Sequence, residues 1–286
     1  MVDEAQAQAE HEAMPSSDMS EGEKQAVTQR RAGSARVVHE VIRLQGDEEL
    51  GRPVQSLIFS GFAAGVAICA SVLAEAFLRL RLPEQGWTDL IVSLGYVVGF
   101  VIVILGNLQL FTESTVTAVL PIATHPTWRN LGRLVRLWMV VFLANMAGTF
   151  AVALLMAAQI IITPEQLAAA VTVSQPLLEH GPATVLLMGM PAGFLVASIA
   201  WILPNARGSE FWVVFLVTYV VSLGGFSHVV AGSAEAWLLM LVGKTTAGCA
   251  IGGFILPALV GNIIGGTGLF AVAAHGQVQS EIETGT

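Results

Sequence analysis

The sequence predicts an all-α membrane protein of six transmembrane helices, from three observations: low charge, apolar stretches long enough to cross a bilayer, and chain breaks that recur in both halves. Of 286 residues, 54% are hydrophobic and 12% charged, which excludes an ordinary soluble domain. As a helix, about 20 apolar residues span a hydrocarbon core roughly 30 Å thick. Runs such as 97–105 and 139–158 are nearly continuous rather than alternating, which excludes a barrel of short amphipathic strands.

Residues 1–34 are polar, rich in Glu, Gln and Ser, and lack the apolar core of a signal peptide, so they read as a disordered cytoplasmic tail. Residues 35–54 read as an amphipathic interfacial helix with Val37, Val38, Val41 and Ile42 on one side. A six-span channel domain follows over 55–275, with spans near 57–80, 89–120, 131–162, 182–201, 211–240 and 243–274, and residues 276–286 form a second cytoplasmic tail. With the N-terminus inside, ten of the 13 Lys and Arg fall on the cytoplasmic side, which places both termini there, in a cell (inner) membrane. Cys69 and Cys249 lie inside apolar spans without ligand spacing, so neither a metal, another cofactor nor a disulfide framework is expected.

The breaks carry the functional reading. In the second span Gly106-Asn107 precedes Leu110-Phe111-Thr112, and in the fifth Gly224-Gly225 precedes Phe226-Ser227-His228. Asn145-Met146-Ala147-Gly148 in the third span returns as Asn262-Ile263-Ile264-Gly265 in the sixth. Thr112 to Asn145 is 33 positions, and His228 to Asn262 is 34. Three spans per half make the repeat inverted, a transporter and channel architecture in which broken helices meet near the midplane.

Non-helical backbone at membrane depth is tolerated only inside protein or beside water. Gly106, Gly224 and Gly225 permit such breaks, although glycines equally suit close helix packing. Half-helices starting near Thr112 and His228 would aim positive dipole ends at the centre. His228 is the only His in an apolar span, where a neutral imidazole can donate a hydrogen bond to a solute or relay a proton. Asn145 and Asn262 read as structural partners of the freed backbone. Tyr96, Phe100, Leu110, Phe111, Val221 and Phe226 are candidates for apolar constrictions. Glu75 and Glu113 must be paired, protonated or near water, and Glu113 faces either the pore or a subunit interface. No Ser-centred elbow, His-Glu-x-x-His or phosphate-cradling glycine motif occurs, which argues against an enzyme or a nucleotide-driven pump.

On Leu110-Phe111-Thr112, Asn145 to Gly148, Gly225 to His228 and Gly261 to Gly266, the sequence resembles the formate/nitrite transporter family over about 55–275. The resemblance implies an aquaporin-like protomer in a homopentamer, with one pore per protomer and two apolar constrictions flanking His228 and Thr112. It implies small monovalent anions such as formate or nitrite as solutes, carried with or as their weak acids. The chain departs from the family pattern where a vestibular Lys is expected: 173–182 holds Glu179 and His180 instead. Gly232 and Gly193 replace expected asparagines. Glu179 thus keeps open a neutral or cationic solute such as ammonium, beside the third reading of a non-conducting membrane scaffold.

Overall fold

The computed structural model describes residues 34–284, so the tail expected over 1–34 lies outside the described residues apart from Ser34. Among the described residues the chain is helical, and five segments are long and apolar enough to cross a membrane: Val54–Arg81, Thr88–Leu105, Trp128–Ala157, Pro182–Asn205 and Cys249–Gln279. The stretch expected as the fifth span is carried by two shorter apolar helices.

Helix α1 (Ala35–Gly51) leads into α2 (Val54–Ile68) and α3 (Ala70–Arg81), which continue each other past a tightened turn at Cys69. Then come α4 (Thr88–Leu105), the short α5 (Ser114–Thr117) and α6 (Leu120–Thr124), and the long α7 (Trp128–Ala157). The second half repeats the order: α9 (Pro182–Ile202), α10 (Glu210–Leu223), α11 (Val229–Leu241), and a last rod in which α12 (Leu256–Ile263) and α13 (Val272–Thr284) alternate with π-helical turns. The rod runs on through 276–284, where the sequence reading places a tail. Between α7 and α9 lies α8 (Pro164–Ser174), closed at its start by a reciprocal Thr163 and Gln166 capping box.

Both breaks open with the same chain reversal. At the first, Leu108 N–H donates to the Val103 carbonyl with Asn107 at φ 50°; at the second, Phe226 N–H donates to Val221 with Gly225 at φ 61°. This is the Schellman ending, which needs one left-handed residue. The left-handed position of the first break is therefore Asn107, and Gly106 sits in ordinary helical geometry at φ −80°. The two half-helices differ. After the second break α11 runs for 13 residues, but the half-helix expected from Thr112 is reduced to α5, with four residues, and α6, with five. Ser114 and Thr115 bond back to the Phe111 and Thr112 carbonyls, competing with helix, and Pro121 has no N–H for the Thr117 carbonyl.

Helix α1 closes over that weak segment. A Cβ at Gly46 would overlap the Thr117 carbonyl oxygen, and Thr117 Oγ1 donates to Glu49 Oε2 at 2.8 Å. The buried face of α1 is Val38, His39, Ile42, Gly46 and Leu50, a step of four that tracks one side of the helix. The face expected from Val37 and Val41 is corrected, since they are 53% and 36% exposed. His39 Nε2 lies 3.1 Å from His275 Nδ1, tying α1 to α13.

Burial, helped by His275 and Arg43 and opposed by Glu40, holds the His39 imidazole below its ordinary 6.5. The folded state then binds fewer protons, so this stabilisation is full above about pH 6.5 and declines below it. The protection factors of the α1 amides, exchange rates taken relative to the unstructured chain at the same pH, are expected to fall on acidification from about pH 7.5 to 5.5, and His39→Gln to flatten that dependence; protection independent of pH would contradict it.

Candidate functional site

Two asparagines organise the centre. Asn145 on α7 accepts from the Phe111 N–H at 2.9 Å and donates from Nδ2 to the Gly61 and Gln109 carbonyls at 2.7 and 2.9 Å. Asn262 on α12 accepts from the Val229 N–H at 2.9 Å and donates to the Gly189 and Ser227 carbonyls at 2.9 and 2.8 Å. Both side chains are fully buried, and each ties a broken span to two neighbours. Their approach depends on glycine: a Cβ at Gly65 would overlap the Asn145 carbonyl oxygen, and one at Gly193 that of Asn262.

These bonds set the register of the repeat. Gln109 matches Ser227, and Phe111 matches Val229, so Leu110 matches His228. The expected pairing of Thr112 with His228 as repeat mates is therefore two positions off. The two residues nevertheless meet, with Thr112 Oγ1 2.8 Å from His228 Nε2.

His228 is the N-cap of α11: its Nδ1 accepts from the Ala231 N–H at 3.2 Å. An accepting Nδ1 places the proton of a neutral imidazole on Nε2, which donates to Thr112. The Thr112 hydroxyl hydrogen is left over as a donor for a third group. His228 is 1% exposed and Thr112 fully buried. The Phe100 ring stands edge-on to His228 at 4.9 Å, and Tyr96 leans on Phe100 at 5.1 Å. Phe111 packs with Trp138 and Phe142 on α7, which puts its ring in the scaffold, while Leu110 is buried in the core. The amides of Phe111 and Val229, beside the starts of the two half-helices, are occupied by the asparagines.

A cavity of about 410 Å³ descends to His228 from the end of the bundle remote from α1. Val221, Phe226, Gly225, Tyr96 and His228 line its depth, and Arg79, Asp89 and His180 also contribute to its wall. Glu179 does not line it and is solvent-exposed, so of the two expected vestibular residues only His180 takes part. The sequence reading missed Glu235 and Ser222, which line the cavity with Glu75. It also missed Gly61 and Gly189, whose signal is legible: Gly61 and Gly65 recur as Gly189 and Gly193 at the same spacing.

The family model "Formate/nitrite transporter" matches residues 36–276. The chain belongs to this family. Inner membrane protein YfdC of Escherichia coli (strain K12) is 37% identical over 268 residues, covering 93% of this chain and 86% of that one. Uncharacterized transporter YrhG of Bacillus subtilis (strain 168) is 26% identical over 229 residues, covering 77% and 84%. Among solved structures, a pentameric formate channel with formate bound superposes with TM-score 0.66 at 21% identity, over 79% of this chain and 98% of that one. An FNT family ion channel superposes with TM-score 0.63 at 17% identity, over 84% and 94%. This formate/nitrite transporter family member is thus a multi-pass membrane transport protein, not an enzyme.

Proposed function

We propose that each protomer of a homopentamer conducts a small monovalent solute, of the formate and nitrite class, that passes the centre as its uncharged weak acid. The observation that carries this is the His228–Thr112 pair. It offers one hydroxyl donor in a buried, aromatic-walled site, and neither broken span carries a Lys or Arg. Stripping an ion of water there is costly, whereas a neutral acid needs only hydrogen bonds that Thr112 can supply. Leu110 on one side and Phe226, Val221, Tyr96 and Phe100 on the other form the apolar walls of this pore. The two halves of the fifth stretch make a sixth crossing, so both termini share one side of the inner membrane, and the balance of Lys and Arg favours the cytoplasm. Carboxylates in the cavity support a second reading, that the solute is a weak base.

The test is solute flux into proteoliposomes loaded with a pH dye. Formate-driven acidification above the protein-free background is expected to rise about tenfold per unit as external pH falls, following the neutral fraction. A flux indifferent to pH would overturn neutral passage. No flux of formate, nitrite, ammonium or glycerol would leave the scaffold reading.

A further inference from the structure

Besides Asp89, which pairs with Arg79, the cavity remote from α1 is lined by two further carboxylates. Glu75 on α3 and Glu235 on α11 both line it. Ser222 lines the cavity beside them, and Glu235 has no hydrogen-bond partner among the described residues. Arg79, the cation of the wall, is already engaged by Asp89 at 2.9 Å and Glu84 at 3.2 Å. A carboxylate so placed needs a countercharge or a proton, and the wall supplies no free cation.

A second observation points to a ligand. Tyr96 lines the same cavity at 7% exposed, lies within electrostatic reach of both carboxylates, and its hydroxyl makes no hydrogen bond among the described residues. That hydroxyl therefore opens on the cavity, where a bound molecule can meet it. Tyr96, Phe226 and Phe254 also give the cavity aromatic faces, which attract a desolvated cation. Among the described residues no group of three or more His, Cys, Asp and Glu could hold a metal ion, so the wall suits a small cation with several N–H donors rather than a divalent metal.

We infer that this cavity captures a small protonated amine of the ammonium type, held by Glu75, Glu235 and Tyr96. The captured cation passes one proton to Glu235: an N–H bond breaks, nitrogen keeps the electron pair, and an O–H bond forms on the carboxylate. The neutral amine moves past Phe226 to the His228–Thr112 pair, and the proton returns to bulk water through the cavity mouth. This rests on neutral passage through the centre, proposed above, and replaces the weak acid by a weak base as solute class.

Proteoliposomes of the full chain, loaded with a pH dye, are given external jumps of ammonium chloride or of sodium formate. Ammonium is expected to alkalinise the lumen at a saturating rate at least about tenfold above protein-free vesicles, and the E75Q/E235Q variant to raise the half-saturating concentration about tenfold or more, as loss of a charged hydrogen bond does. Tyr96→Phe is expected to raise it a few-fold. Gel filtration and melting identify folded variants; if the double variant does not fold, E235Q is read in its place and Tyr96→Phe in support. Background ammonium flux beside robust formate flux overturns the capture site and leaves the neutral pore standing. Unchanged saturation in the glutamine variants also overturns it. Background flux for both solutes overturns the pore reading and the site together.

Discussion

Asn262→Leu is expected to abolish accumulation of folded protein, and Asn145→Leu to do nearly the same. Leucine keeps the branched shape but removes one acceptor and two donors, leaving the Val229 N–H and the Gly189 and Ser227 carbonyls without their partner. Each buried orphan costs about 1–3 kcal/mol, and three together rival the roughly 5–15 kcal/mol that holds a typical domain folded. The penalty is steeper at membrane depth, where no water can take the vacated place. Asn262→Asp keeps an acceptor for Val229 but sets a carboxyl against the Gly189 and Ser227 carbonyls without the amide donors, so it is expected to melt well below the wild type. Gel filtration in detergent and thermal unfolding read the series. An Asn262→Leu protein that elutes and melts like the wild type would remove the asparagine from the framework.

The framework was largely legible because its parts repeat. Asn145 and Asn262, each three positions before a glycine, mark helix contacts too close for any side chain. The register was not legible: Phe226-Ser227-His228 looks like the counterpart of Leu110-Phe111-Thr112, but the bonds from Asn145 and Asn262 reach Gln109 and Ser227, and only these align the breaks. The fate of the half-helix after Thr112 turned on hydroxyl back-bonding and on Pro121, local effects that a hydropathy profile does not register. Phe111 shows the limit most clearly. An aromatic residue beside a break reads as a constriction, yet the direction of its ring is decided by Trp138 and Phe142, some 30 residues onward. Glu235 escaped notice for the opposite reason. It is a single acid in an apolar run, and only its meeting with Glu75 across two distant helices gives it meaning.

The His228 series separates a structural role from a transport role in one side chain. Nδ1 caps α11 and Nε2 reaches Thr112, so His228→Ala loses both functions and cannot distinguish them. His228→Asn is the informative variant. Asparagine is a strong N-cap, so the bond to the Ala231 N–H and about 1 kcal/mol of stability are expected to survive, while its shorter side chain no longer holds the Thr112 hydroxyl. With the Thr112 hydrogen free to turn away, the solute loses a positioned donor worth about 1–1.5 kcal/mol, which lowers flux roughly tenfold. Thr112→Val removes the donor itself and keeps the shape, so its flux is expected to fall at least as far, with melting close to wild type because the His228 cap is intact. The two losses should not multiply in the double variant, since both act on the same hydrogen bond. Wild-type flux in His228→Asn would mean that His228 serves α11 alone, and the centre of the pore would have to be sought among the apolar walls instead.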